Sequence, residues 1–444
     1  MAVTLAFEDG TIRIEGSVPD LPFVETDPRS KTARAPAVRY VALREAIDER
    51  GVAVDDRVLD APSIDVASAY ELREYQQEAL DAWRANDDRG CLELPTGSGK
   101  TVIGLAAIEA LDTAALVVVP TIDLLEQWRR ECETEFDVPV GQLGGGEQRV
   151  EALSIATYDS AYLRADDIGD RFGLVIFDEV HHLGGEGYRE IARLVAAPAR
   201  LGLTATFERP DGAHEIVEDL CGPLVHRIAP DDLAGEHLAA YDIKRLEVEL
   251  TEEERAEYDD HRETFTNYLA RSNLDMQSGS DYRKLVMRSG NDPQAREALL
   301  ANQRAREVMM NADAKVETLA DLLDHHREDR VIVFTAHNDL VYRLSERFLI
   351  PAITHQTGAA ERHEVLAKFR EGTYSRVVAA NVLDEGVDVP AANVAVVLSG
   401  SGSTREFTQR LGRILRPTED GGRALLYEVV TEETAEENIA DRRH

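Results

Sequence analysis

Two short stretches of this chain combine residue types that do chemistry together. Leu94-Pro95-Thr96-Gly97-Ser98-Gly99-Lys100-Thr101 places two glycines, a lysine and a closing hydroxyl in one run. Glycine lets the backbone close on phosphate oxygens, so that N–H groups and a following helix N-terminus face the anion. Lys100 supplies a point charge to the outer phosphates, and the Thr101 hydroxyl can ligate Mg2+. Thr96, Gly97, Ser98, Gly99, Lys100 and Thr101 are therefore the candidate nucleotide-binding set. The strict G-x-x-x-x-G-K-[ST] pattern departs at its first position, where Leu94 replaces glycine.

The second stretch, Ile176-Phe177-Asp178-Glu179-Val180-His181-His182-Leu183, sets two carboxylates beside two histidines. Its side chains could hold zinc, or its carboxylates could serve Mg2+ and a hydrolytic water. Zinc sites place histidines at i and i+4 on one helical face, or use separated ligands with an open position. Adjacent histidines point in different directions, so the second reading is preferred. Asp178 then holds Mg2+, partly through water, and Glu179 orients and deprotonates the attacking water. A hydrogen-bonding, coupling role at a domain interface is expected of His182, and a surface or packing role of His181.

These groups need strands and helices to hold them. Apolar runs at 91–95, 115–120, 153–157, 174–179 and 200–206 alternate with helical patterns, the signature of a parallel sheet in an α/β domain. A second set follows at 331–335, 352–355, 376–381, 394–399 and 424–430. Two such sets predict two similar α/β domains in tandem. Between them, 251–312 is charge-dense, lacks strand-like runs and reads as a helical insertion. Residues 2–16 alternate apolar and polar around Asp9-Gly10, a hairpin signal, followed by a loop at 27–36 and a helix from Tyr40. The expected division is 1–62, 63–245, 246–312 and 313–444.

Three further stretches belong with the phosphate loop. In LREYQQEAL, Gln76 can pair with adenine N6 and N7, and Arg73 can stack on or cap the ring. Thr204 and Thr206 end a strand and are expected to couple the phosphate site to the second domain. In QRLGRILRP, Arg410, Arg413 and Arg416 recur every three residues and gather on one helix, as finger arginines at a γ-phosphate would. Gln409 joins the coupling set, and Gly386 and Asp388 of LDEGVDVP join the nucleotide set, Asp388 bonding an arginine or the ribose.

Composition bounds the rest. At 444 residues and 43% hydrophobic content the chain is globular with more than one core. No apolar run reaches the ~20 residues of a membrane span, and no basic-then-apolar leader stands at the N-terminus. Three scattered cysteines exclude a disulfide framework and point to the cytoplasm. The net charge of −35 is spread along the chain and only six lysines occur, which suits a halophilic cytoplasm. In molar salt the screening length is about 3 Å, so this charge neither supports nor excludes a nucleic-acid partner.

The set LREYQ, LPTGSGKT, DEVHH, LTATFER, LDEGVDVP and QRLGRILRP resembles superfamily 2 helicases. Over 65–444, with FLIPAITH, GSGSTREF and the helical insertion, it is similar to the archaeal XPB family of DNA repair helicases. The resemblance implies two RecA-like domains closing on ATP, a thumb gripping DNA and a small N-terminal α+β domain of damage-recognition type. It implies 3′-to-5′ helicase or translocase activity on single-stranded or forked duplex DNA, in excision repair and transcription, with a companion nuclease as partner. By position, Lys100 and Thr101 bind phosphate and Mg2+, Asp178 holds the metal, Glu179 activates water, Arg413 and Arg416 are the fingers and Gln76 reads adenine. The family's Arg-Glu-Asp wedge is here Arg209-Pro210-Asp211, a departure from the family pattern in which proline stands in place of the glutamate.

DNA would be held at strand ends facing away from ATP, by Thr121, Thr157, Thr335, Thr357 and Asn381, each of which could equally be an ordinary cap or turn residue, with Arg209 and Asp211 at the wedge. Neutral donors suit high salt, where counterion release drives little binding. Tyr282-Arg283-Lys284 is a further possible grip, or simply a solvated helix face. An RNA helicase remains as an alternative, because DNA and RNA helicases both use backbone contacts; a DNA-binding scaffold with slow ATPase is the other, and the intact Lys100, Asp178, Glu179, Arg413 and Arg416 argue against it. The chain is expected to act as a monomer without a membrane partner.

Overall fold

Parallel strands buried on both faces need continuous apolar sequence, and all ten of the expected runs supply a strand. The computed structural model describes residues 3–16, 21–26, 32–95, 97–185, 187–208, 212–229, 241–272, 274, 276, 279–380, 392–399 and 424–437. The chain divides into two units near residue 237.

The first unit opens with a five-stranded sheet in the order β3-β4-β2-β1-β5. β1 (Val3–Glu8) and β2 (Thr11–Glu15) form the expected hairpin, and β3 (Glu25–Thr26) and β4 (Ala33–Pro36) extend it. β5 (Val54–Arg57) runs parallel to β1 after the helix Tyr40–Glu49. Part of the expected loop at 27–36 is therefore strand β4, whose Ala35 is buried opposite Ile12. Leu5, Ile12, Leu43 and Ile47 build this small core, and Ala196 of the next domain joins it.

Eight strands follow: β6 (Arg89–Glu93), β7 (Ala115–Val119), β8 (Val140–Gly144), β9 (Glu147–Arg149), β10 (Leu153–Thr157), β11 (Leu174–Asp178), β12 (Ala199–Thr204) and β13 (Leu224–Arg227). Their order is β13-β6-β12-β11-β7-β10-β8-β9, and every pair but β8–β9 is parallel. Parallel pairing puts the carboxyl ends of β6, β12, β11, β7 and β10 along one edge, where α/β ligand sites lie. The helices Lys100–Leu111 and Ile122–Glu135 link β6 to β7 and β7 to β8.

In the second unit, β14 (Tyr241–Val248), β15 (Val331–Phe334), β16 (Ala352–Ile353), β17 (Arg376–Ala379), β18 (Val394–Val397) and β19 (Ala424–Thr431) pair in parallel in the order β14-β19-β18-β15-β17-β16. β14 lies against β19 over eight residues, so the expected boundary at 245 falls inside a strand of this sheet. The helices Glu252–Ser272, Gly279–Ser289 and Pro293–Met310 form the insertion, packed on Phe265, Leu285, Ala295 and Ala298. Among the described residues no helix is long and apolar enough to cross a membrane.

Candidate active site

The phosphate loop turns out of β6 into the helix Lys100–Leu111 through Gly97 and Gly99, both at positive φ (82° and 81°). A side chain at Gly99 is excluded twice. Its φ suits glycine, and a Cβ there would lie 2.4 Å from Gln76 Nε2. That contact ties LREYQ to the loop. Gln76 Nε2 and Tyr75 Oη both donate to the Ser98 carbonyl, at 2.8 and 2.7 Å, while Gln76 Oε1 accepts from Arg73 N at 3.0 Å. Gln76 is buried, and both ends of its amide are committed to this chain. The group expected to read adenine thus braces the loop, and an adenine would have to exchange with one of these partners. Arg73 caps the helix Glu74–Arg84, its guanidinium on Tyr75 Oη at 3.3 Å. Lys100 Nζ donates to the Leu94 and Pro95 carbonyls, and Thr101 is half-buried beside it.

Two strands away, β11 delivers Asp178 and Glu179 to the same edge. Both are buried, at 5% and 4% exposure, although charged residues are rarely buried without partners. Asp178 Oδ1 accepts from Glu179 N (3.0 Å) and Oδ2 from Trp128 Nε1 (2.8 Å). Burial and then the Glu179 charge push the Asp178 carboxyl up to about 6, against the pull of the Trp128 hydrogen bond and of Lys100. Glu179 adopts φ +50°, and its Oε2 has no hydrogen-bond partner. Ser98 Oγ and Thr206 Oγ1 are likewise buried without one.

A divalent cation fits this arrangement. Two adjacent buried carboxylates, one with an oxygen that lacks a hydrogen bond, and a lysine that favours the charge of Asp178, form an anionic corner that Mg2+ would relieve. Among the described residues no three His, Cys, Asp or Glu side chains gather in a metal-ligating cluster. Phosphate oxygens and water would complete the shell.

The left-handed Glu179 turns the chain into a short 3-10 helix, Val180–Gly184, and this turn decides which histidine faces the site. His181 is buried, with Nδ1 3.3 Å from Thr204 Oγ1 and 3.5 Å from Glu179 Oε2. His182 packs on the Tyr158 ring at 5.5 Å. The hydrogen bond to Thr204 is therefore made by His181 and not by His182, and burial of His181 leaves the packing role and not the surface one. Thr204 Oγ1 also donates to the Thr206 carbonyl (2.9 Å) and accepts from Thr206 N (3.2 Å). Glu179, His181, Thr204 and Thr206 form one line across β11 and β12.

Within the first unit, the candidate DNA contacts Thr121 and Thr157 do not face away from this line. Thr121, two residues beyond β7, and Thr157, the last residue of β10, lie on the same edge of the same sheet and cap the helices that follow by accepting from Leu124 N and Ser160 N. In the second unit Thr357 is half-buried and accepts from Thr354 N, beside exposed His355 and Gln356. Thr335 is fully buried, its hydroxyl on Ser399 Oγ at 2.9 Å, so it braces a loop and presents nothing to a phosphate backbone. Tyr282, Arg283 and Lys284 lie on an exposed helix face, with Lys284 paired to Asp281. Thr96, Arg209, Asp211, Asn381, Gly386, Asp388, Gln409, Arg413 and Arg416 lie outside the described residues.

Two residues at the site carried no motif signal. Trp128 and Tyr158 both bond Asp178, through its side chain and its carbonyl. Trp128 shares the apolar face of its helix with Leu125 and Cys132, a spacing that announces burial and no more.

A glycine-wrapped lysine loop, a paired-carboxylate strand end and a hydroxyl pair on adjacent parallel strands define a phosphate-loop ATPase of the superfamily 2 helicase class. The Hef helicase domain of Pyrococcus furiosus shares the fold, with a TM-score of 0.53 at 20% identity over 84% of this chain and 98% of that one. Family profiles described as xeroderma pigmentosum group B helicase damage recognition domain, type III restriction enzyme res subunit, and ERCC3/RAD25/XPB C-terminal helicase match residues 5–58, 69–209 and 295–444. The chain is 42% identical to the DNA 3′-5′ translocase XPB2 of Sulfurisphaera tokodaii over 99% of both proteins. It is 33% identical to a putative DNA 3′-5′ helicase Rad25 of Halobacterium salinarum over 94% of this chain, spanning 64% of that protein. The chain belongs to the XPB family.

Proposed function

We propose that this chain is an ATP-driven DNA translocase and helicase of 3′-to-5′ polarity that remodels duplex DNA in repair and transcription. One observation carries the reading most directly. A single sheet edge bears the hydrolytic groups on β6, β12 and β11 and hydroxyl-tipped strand ends on the neighbouring β7 and β10. Hydrolysis and strand contact then share one rigid element. The relative matched from end to end is itself named a DNA 3′-5′ translocase.

In this reading Lys100 and the backbone of 97–99 bind the phosphates, and Thr101 and Asp178 hold Mg2+. Bound Mg2+ supplies charge neutralisation at the phosphates. Glu179 takes the proton of the attacking water; its oxygen without a hydrogen-bond partner is free to accept it. His181, Thr204 and Thr206 pass the change along the sheet edge. Arg413 and Arg416 serve as finger arginines, with Gln409, Gly386 and Asp388 beside them in function. The unit 1–62 contributes damage recognition, 246–312 grips DNA, and strand incision falls to a companion nuclease. The charge of −35 adapts a cytoplasmic monomer to concentrated salt.

The test is steady-state ATP hydrolysis in molar KCl, without nucleic acid and with single-stranded DNA, forked duplex or RNA. Stimulation by DNA and not RNA is expected. Stimulation by RNA alone would make the chain an RNA helicase, and slow, flat hydrolysis in all four would make it a scaffold.

A further inference from the structure

Asp178 is gripped twice, from the helices capped by Thr121 and Thr157. Trp128 reaches it from the helix Ile122–Glu135, whose N-cap is Thr121, and donates Nε1–H to Oδ2 at 2.8 Å. Tyr158 reaches it from the start of the helix capped by Thr157 and donates its hydroxyl to the Asp178 carbonyl at 3.1 Å. Both aromatic residues are fully buried, at 0% and 1% exposure. Each candidate DNA contact on β7 and β10 therefore begins a helix that carries a rigid ring hydrogen-bonded to the same aspartate.

The Trp128 ring has a second seat. A Cβ built on Gly104 would lie 2.4 Å from Trp128 Cη2, so the indole occupies the room that glycine leaves. Gly104 stands four residues after Lys100, one turn along the phosphate-loop helix and on the same face. Thr121 and Trp128 are seven residues apart, roughly 10 Å of helix. A tilt of that helix at its capped end must move the indole against both the phosphate-loop helix and Asp178, because a close-packed interior leaves no slack.

We infer that Trp128 and Tyr158 are positioning residues that transmit strand binding at Thr121 and Thr157 to the metal-holding carboxylate. The inference rests on the ATPase reading above. Outer partners of a metal-holding group set its orientation, and losing one changes metal affinity or activity by about 10-fold or more. Both rings are buried in the fold and do not form part of its surface. Their effect is on how Asp178 is held, and through it on how strongly DNA accelerates hydrolysis.

The variants are Trp128→Phe and Tyr158→Phe, singly and together, which keep an aromatic ring at each position, smaller at 128, and remove the donors. The double variant is expected to raise the Mg2+ half-saturation of hydrolysis about 10-fold and to lower DNA stimulation by a similar factor relative to hydrolysis without DNA. A second readout needs no turnover. The chain has two tryptophans, and indole emission of the unmodified protein should change when ADP and Mg2+ are added and again when single-stranded DNA is added. Trp128→Phe, retaining Trp83, should lose both changes. Unaltered Mg2+ half-saturation and DNA stimulation in the double variant, beside an inactive Asp178→Asn, would overturn the inference and leave the ATPase reading intact. Emission of the unmodified protein that ignores both additions would overturn it even if the variants failed to fold. An active Asp178→Asn would instead overturn the site assignment itself.

Discussion

The chain buries acidic side chains in two ways. In the second unit Glu436, 2% exposed, meets Lys315, fully buried, at 2.6 Å. The same carboxylate oxygen accepts from Thr431 N at 3.0 Å, and the ammonium also donates to the Leu398 carbonyl at 2.6 Å. That acid is matched within the fold. In the first unit Asp178 and Glu179 share a buried corner without such an ion pair to Asp178, and Glu179 Oε2 lacks a hydrogen bond. The first arrangement ties a helix start, a strand end and the C-terminal segment together. The second leaves an electrostatic site that the charges of a ligand would complete. Buried charge is thus structural where its partner is built in, and functional where the partner is left to arrive.

The largest test of that contrast is catalytic. Glu179→Gln should retain ATP binding and lower the hydrolysis rate by about 10²–10⁴, the contribution of a positioned general base, and trap a DNA-bound state. Quenched-flow single turnovers measure it, and a normal rate would show the base to be elsewhere. Lys100→Ala should abolish hydrolysis and movement together. On the matched side, Lys315→Met leaves Glu436 buried and uncompensated, and should cost about 3–5 kcal/mol in denaturant unfolding of the second unit. Replacing both partners by apolar residues should cost much less. If the single and double variants were equally destabilised, the pair would not be acting through its charges.

The two sites also differ in how readily sequence discloses them. The interior strands were legible because strands buried on both faces must be apolar throughout, as in Leu174–Asp178 and Val331–Phe334. Strand β14, YDIKRLEV, was not, because it lies at the edge of its sheet and its largely exposed side chains are charged. At the active site Lys100 and Asp178 announce themselves through local spacing. His181 does not, since only the left-handed turn at Glu179 decides that it, and not His182, faces Thr204. Trp128, Tyr158 and the Lys315–Glu436 pair depend on contacts across 20 to 121 residues, which no local pattern encodes.

A smaller effect sharpens the contrast through pH. The Asp178 carboxyl rises from 3.8 to about 6 on folding, because burial and then Glu179 disfavour its charge. Its ionised form therefore lowers stability above pH 6. That penalty, about 3 kcal/mol at most, is relieved as pH falls through 6 towards 4, where the group is protonated. Asp178→Asn has no charge and keeps one acceptor oxygen, enough for Trp128 Nε1 or for Glu179 N but not for both. It should be more stable than the unmodified protein at pH 8 and lose that advantage near pH 4. Mg2+ with nucleotide should narrow the difference at pH 8 by stabilising the unmodified protein alone. Melting curves at the two pH values measure this, and a gap that does not change with pH would mean that the aspartate is not strained by its charge.

The smallest effect separates the two histidines. His181 bridges Glu179 and Thr204 through Nδ1, and the change to alanine removes one hydrogen bond from the line that joins β11 to β12. A hydrogen bond of ordinary strength is worth about 1 kcal/mol, so DNA-stimulated hydrolysis should fall by roughly 5-fold. His182 contributes a ring contact to Tyr158 and none to Thr204, and its change to alanine should lower the same rate less. His181→Asn, which can keep a polar contact to Thr204, should recover part of the loss. The ratio of rates with and without single-stranded DNA is the quantity to compare. Equal ratios in the two alanine variants would mean that the Thr204 contact does not carry coupling, and that the sheet edge communicates through the aromatic grip on Asp178 alone.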